Sequence, residues 1–268
     1  MQMVILAGGL GTRLRPLTYE MPKALIPVDG KPFLHHQIEL LKRHGIHDIV
    51  LCVGHLGDKI RAYFGNGRWL GVRIRYSEER MMLLGTAGAV KNAEPLLEDD
   101  FFLLYGDSYL PVDYREVMRY FRRSGRLGLM VVYRNADRYE RSNVIVNDGR
   151  VVVYDKEGTT PGMEYINYGL SVLRKEALRF VLAGRPSSQE ELYRLLIEHG
   201  ELLAWQATNR FYEIGSRQGL AEFRSLVDAG GLEAIPEFRR HRPVNGAALM
   251  PPPSGGGGKR FLKLVVRR

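Results

Sequence analysis

The chain reads LAGGLGTRLRPLT from Leu6 to Thr18, a glycine-rich turn with two arginines directly after a short apolar run. Glycines at 8, 9 and 11 permit left-handed dihedrals and close backbone approach, so the amides of this turn can face anionic oxygens. Arg13 follows with a planar fork suited to gripping a phosphate, and Lys23, in Pro22-Lys23, adds a second cation. The dinucleotide pattern G-x-G-x-x-G fails at its third glycine, where Leu14 stands. The P-loop pattern fails because no Gly-Lys-Ser/Thr occurs. What remains is a phosphate grip of another kind, or a tight turn with solvated basic residues.

Such a grip needs a frame. Val4–Leu6, Asp48–Val53 and Phe101–Tyr105 read as buried strands, Val72–Tyr76 and Leu127–Tyr133 as further strands. Between them Pro32–His44, Asp58–Phe64, Ala87–Leu97 and Tyr114–Arg123 read as helices. This alternation predicts an α/β fold with a doubly wound, mostly parallel sheet. The glycine turn and Gly106-Asp107 both fall at strand carboxyl ends, where ligands bind in such sheets, so they are expected to face each other across a crevice.

From Asn143 the texture changes. Val144–Val146, Val151–Tyr154 and Leu170–Leu173 read as short strands, and Asn147-Asp148-Gly149 as a hairpin turn. Helical patterns follow at Lys175–Ala183, Glu190–Glu198 and Gln218–Ala229. The expected organisation is one domain, 1–230, split into a nucleotide-binding part (1–142) and a small α+β lid with C-terminal helices (143–230). A basic, Pro/Gly-rich tail (231–268) follows. No hexapeptide array suggests a C-terminal β-helix.

Composition narrows the classes. With 268 residues, 45% of them hydrophobic and 26% charged, the chain is of ordinary globular type. No apolar run approaches a membrane span, and none has the form of a signal peptide. The single cysteine, Cys52, excludes an internal disulfide and suits a reducing cytoplasm; in IVLCVG it reads as a buried structural thiol. The net charge of +9 invites a nucleic-acid reading, but residues 231–268 carry eight Lys/Arg and two Glu, leaving the body nearly balanced. The tail has two aromatics, Phe238 and Phe261, far apart in sequence, and no stacking platform. Neither nucleic acid nor membrane is expected as a partner. The seven histidines form no H-x-x-x-H or Cys/His cluster, so zinc is not expected, and no G-x-S-x-G serine is present.

The opening run resembles the signature of the sugar-1-phosphate nucleotidyltransferases, through Gly9, Gly11, Thr12, Arg13, Pro16, Thr18, Pro22 and Lys23. That family couples a nucleoside triphosphate to a sugar 1-phosphate and releases pyrophosphate. The resemblance spans about residues 1–230. It implies that Leu6, Ala7, Gly8, Gly9, Gly11 and Thr12 hold the nucleotide, with Arg13 on its β/γ-phosphates and Lys23 against the α-phosphate. LGTAGAV resembles the base-recognition loop, placing Gly85, Thr86 and Gly88 near the base. YGDS and FYEIGS resemble the motifs that bind Mg²⁺, here through Asp107 and Glu213. VYDKEG and YINYGLSVL resemble the sugar-pocket motifs, implying Asp155, Lys156, Asn167 and Gly169, with Asn143 at the lid entrance. Taken alone, Asp107 also suits a cap and Thr86 a helix start.

Departures from the family pattern lie on the acceptor side: Glu213 for the usual aspartate, Asn143 for glycine, Asp155 for glutamate. The motif set is most similar to the short guanylyltransferases acting on mannose or heptose 1-phosphate. Thymidylyl-, uridylyl- and cytidylyl transfer to a hexose 1-phosphate, and a catalytically silent NDP-sugar-binding homologue, stand as alternatives. Homo-oligomerisation is left open. The chemistry accounts for these residue types, because attack at phosphorus by an existing anion needs cations and backbone donors rather than a strong base.

Overall fold

The computed structural model describes residues 1–79 and 82–234. In chain order its elements are β1 (Gln2–Leu6), β2 (Pro27–Val28), β3 (Lys31–Pro32), α1 (Phe33–Arg43), β4 (Asp48–Val53), α2 (Gly57–Phe64), β5 (Arg73–Glu78) and α3 (Gly85–Asn92). There follow β6 (Asp100–Tyr105), β7 (Ser108–Tyr109), α4 (Tyr114–Ser124), β8 (Gly128–Arg134), β9 (Val144–Asn147) and β10 (Arg150–Tyr154). The last are β11 (Tyr165–Arg174), α5 (Gln189–Glu198), β12 (Leu202–Ala207), β13 (Tyr212–Glu213), α6 (Arg217–Asp228) and α7 (Gly231–Ala234).

Nine strands make one sheet in the order β5-β4-β1-β6-β11-β8-β12-β10-β9. The expected parallel unit is the run β5-β4-β1-β6. The rest departs from a mostly parallel sheet. β11 runs antiparallel to both its neighbours, β6 and β8, and the β10–β9 and β10–β12 pairs are antiparallel too. Residues 143–230 therefore do not stand apart as a separate layer, because four of their strands, β9, β10, β11 and β12, belong to the same nine-stranded sheet. The physical reason is burial: Leu170, Val172 and Leu173 of β11 are all 0% exposed, which only an interior strand achieves.

Two apolar layers cover the sheet. Leu34, Ile38, Ile60, Phe64, Val117 and Phe121, from α1, α2 and α4, belong to one, and Ala87, Val90, Leu192 and Leu196, from α3 and α5, to the other. Helix α4 starts on the Asp113 side chain, which accepts from the Glu116 amide, and ends at a left-handed Gly125. The expected hairpin turn is present, with Asp148 and Gly149 at φ 46° and 71°. A third cluster joins Leu14, Ile26 and Phe33 to Ile214, Leu220 and Phe223. It seats α6 against the segment after the glycine turn, bringing sequence positions near 14 and 214 into one neighbourhood. No helix among the described residues is long and apolar enough to cross a membrane. The expected 231–268 tail lies outside the described residues beyond Ala234.

Candidate active site

The glycine turn leaves the carboxyl end of β1 between two parallel neighbours. Ala7 N donates to Cys52 O of β4 at 2.8 Å, and Gly106 N donates to Leu6 O at 3.0 Å. Any Cβ on Gly106 would collide with the Leu6 carbonyl, so the two strand ends close only around a glycine. Gly11 is left-handed at φ 62°, and its carbonyl accepts from Thr18 Oγ1 at 2.8 Å, which holds the turn open toward the sheet.

Over these strand ends lies a cavity of about 240 Å³ lined by Leu6, Ala7, Gly8, Gly9, Lys23, Cys52, Glu79, Gly85, Thr86, Tyr105 and Asp107 among others. Within it Lys23 Nζ donates to Asp107 Oδ2 at 2.8 Å, so the cation and the carboxylate singled out in the sequence meet. Glu79 also lines this cavity; the sequence reading missed it because it falls in the charged run Glu78-Glu79-Arg80. Its Oε1 accepts from the Leu84 amide at 2.7 Å, and burial raises its pKa against the lowering effect of that bond. Cys52 is a buried thiol whose pKa burial pushes up to about 12, the inert structural role expected of it.

A second cavity, of about 510 Å³, shares Thr86, Tyr105 and Asp107 with the first. Arg13, Asn143, Lys156, Asn167, Gly169 and Glu213 line it, all singled out from the sequence. So do Glu140, Tyr154, Gln189 and Glu190, which were not. Asn143 Oδ1 accepts from Asn167 N at 2.8 Å, and Asn167 Oδ1 from Gly169 N at 3.0 Å, so these side chains brace the wall of the cavity. Gly169 is at φ 93°, and a Cβ there would press within 3.1 Å of Ser108 Oγ.

Asp155 does not line this cavity. Its carboxylate instead accepts from Glu157 N and from the amides and hydroxyls of Thr159 and Thr160, holding the loop beyond Lys156. The Thr159 hydroxyl first, then the other bonds, keep this carboxyl well below the usual range. The shorter side chain thus serves the loop, and Lys156 and Glu157 are what that loop presents. Gly88 lies under Arg185 O and Ser187 N rather than in either cavity, and Gly11 and Thr12 shape the turn.

Glu213 folds back on its own loop, accepting from the Gly215 and Ser216 amides and from Ser216 Oγ. The extra methylene relative to aspartate allows this return. A Cβ on Gly215 would sit 2.7 Å from Arg13 Nη2, 2.7 Å from Glu213 Oε2 and 2.9 Å from Asp107 Oδ2. Three side chains far apart in sequence therefore converge on a spot kept clear by a glycine. Glu140 faces the same group: burial raises its pKa, repulsion from Glu213 and Asp107 adds to this, and Arg13 opposes it. No group of three or more His, Cys, Asp or Glu able to hold a metal occurs among the described residues.

Solved structures share this architecture. The Yersinia pseudotuberculosis protein HddC complexed with GMP-PN superposes at a TM-score of 0.69, 24% identical, over 84% of this chain and 99% of that one. The inositol-1-phosphate CTP transferase from T. maritima gives 0.68, 23% identical, over 85% and 94%. These likenesses define a nucleotidyltransferase fold. Residues 2–222 match the nucleotidyl transferase family, and the chain belongs to it. It is similar to the D-glycero-alpha-D-manno-heptose 1-phosphate guanylyltransferase of Aneurinibacillus thermoaerophilus, 38% identical over 59% of this chain and 68% of the relative. The Campylobacter jejuni protein of the same name is 33% identical over 72% and 85%. A Synechocystis UTP–glucose-1-phosphate uridylyltransferase is 30% identical over 80% of this chain, which spans only 59% of that relative's length.

Proposed function

We propose that the chain transfers GMP from GTP to a sugar 1-phosphate, mannose or heptose, giving a GDP-sugar and pyrophosphate. Membership of the family and the two joined cavities support the reaction class. Glu79 carries the choice of base. A carboxylate in the wall of the cavity that also holds Lys23 and Asp107 offers two acceptor oxygens, and guanine alone pairs adjacent N1–H and N2–H donors against them. Uracil and thymine flank their N3–H with carbonyl oxygens that a carboxylate repels, while adenine and cytosine present a ring acceptor.

In the reaction an oxygen of the acceptor phosphate forms a bond to the α-phosphorus as the bond to the β-phosphate oxygen breaks, and pyrophosphate leaves. Both reactants are anions, so Lys23, Arg13 and Lys156 have the work of offsetting their repulsion and the charge that develops. Asp107 and Glu213 are hard oxygen donors whose Oδ2 and Oε2 both approach the Cβ position that Gly215 leaves empty, and they would hold Mg²⁺ with substrate phosphates completing its shell. Bound there, Mg²⁺ would supply charge neutralisation on the triphosphate. The cavities must also exclude water, since hydrolysis would compete with the acceptor.

The test is a grid of GTP, ATP, CTP, UTP and dTTP against common sugar 1-phosphates, read by pyrophosphate release. GTP should be used best with mannose or heptose 1-phosphate. Absence of release with every pair, despite tight NDP-sugar binding, would overturn the reading in favour of a silent homologue.

A further inference from the structure

The segment 84–88 and the segment 185–189 are bonded into one block. Ser187 N donates to Leu84 O at 2.8 Å, and Ala87 N and Gly88 N donate to Ser187 O at 3.0 and 3.2 Å. Gly85 is left-handed at φ 71°, and a Cβ on it would lie 2.6 Å from Ser187 O, so the contact depends on glycine. The block ends in a side-chain bond: Gln189 N donates to Thr86 Oγ1 at 2.7 Å.

That bond has a definite job in helix chemistry. The first amides of a helix lack intrahelical acceptors. At α5 the third is taken by Ser188 Oγ, in a capping box with Glu191. The first, Gln189 N, is taken by Thr86 of the bonded 84–88 segment. Ser188, Gln189 and Glu190 of this first turn line the acceptor-side cavity. Gln189 is 4% exposed, its Nε2 donates to Tyr193 Oη at 2.9 Å, and its Oε1 has no donor among the described residues, as suits a wall completed by a hydroxyl-bearing ligand.

We propose that Thr86 is a positioning residue for the acceptor sugar phosphate: from the nucleotide loop, its hydroxyl fixes the first turn of α5 that walls the acceptor cavity. It acts through Gln189 and Glu190. This rests on the nucleotidyl-transfer reading above, and it assigns to the acceptor a residue that the family resemblance places with the base.

The variants Thr86→Val, which keeps the shape and loses the acceptor, and Thr86→Ser, which restores it, separate the two roles. With GTP and the best acceptor, Thr86→Val should raise the acceptor KM about tenfold. Its ranking of the NTPs should be unchanged, its melting temperature should fall by a few degrees with the loss of the helix-start bond, and Thr86→Ser should return both the acceptor KM and the melting temperature to the wild-type values. A raised GTP KM or an altered NTP ranking with an unchanged acceptor KM would overturn the proposal, as would failure of Thr86→Ser to rescue. Calorimetric titration of mannose and heptose 1-phosphates into the same proteins gives the answer independently of turnover. Weaker binding to the valine variant alone supports Thr86's role even if pyrophosphate release fails, and equal binding to all three overturns it.

Discussion

Lys23 and Asp107 are paired at 2.8 Å, and each is about four-fifths covered, so removing either leaves a partly buried charge without its partner. Lys23→Ala should cut kcat by about 10²-fold or more while changing GTP binding far less, as expected of a cation used mainly in the transition state. Single-turnover rates alongside nucleotide titration check this, and a loss confined to binding would contradict it. Asp107→Asn should remove Mg²⁺-dependent turnover. Glu79 makes a sharper prediction, because under the proposed role its carboxyl would cost stability in order to select the base. Its folded pKa lies above the ordinary value, so the folded chain holds the proton longer than the unfolded chain. Stability therefore falls as pH rises from the ordinary glutamate range through the raised value. Glu79→Gln should flatten that fall and raise Tm at neutral pH by about 2 °C. It should also erase the preference for GTP over the other NTPs. A GTP preference that survives the substitution would sink the assignment.

At the scale of elements, the loop after β10 and the start of α6 are held by carboxylates that the sequence suggested for ligands. Asp155 accepts five hydrogen bonds from residues 157–160. Asp155→Asn should loosen Lys156 and raise the acceptor KM about threefold to tenfold with kcat nearly intact. The Asp155 carboxyl is depressed, so the order it gives this loop is present above the ordinary aspartate range and is lost as pH falls below it. Proteolytic nicking near Gly158, measured against pH, reads this out. Glu213→Asp should lose the return bonds to Ser216 and cost about 1 kcal/mol of stability through the α6 cap. Most elements were legible from their apolar period, Asp48–Val53 to the residue. Strand β11 was read only over Leu170–Leu173, because Asn167 and Gly169 break the pattern where the register shifts against β8. Strand β12, LLAWQA, was not read from the sequence, although Gly200 precedes it and Asn209 follows it; the structure pairs it parallel with β8 and antiparallel with β10.

At the scale of the whole molecule, the two halves of the chain share one sheet, joined where β11 pairs with β6 and β8. Leu170→Ala at that seam should cost about 2–5 kcal/mol and leave a single calorimetric transition. Two separate transitions would show that residues 143–215 fold as a unit of their own. The same joined sheet explains the division between what could be read and what could not. The sequence by itself determined the glycine turn at the carboxyl end of β1, the arginine and lysine that follow it, and most of the strands and helices. These are local matters of glycine dihedrals, charge and apolar period. Only the tertiary structure decided that Arg13, Asp107 and Glu213 converge at Gly215, that Glu79 lines one cavity with Lys23 and Asp107, and that Thr86 bonds to α5. Those meetings depend on which strands neighbour each other and which loops their ends bring together. Such long-range packing is written in no single stretch of the chain.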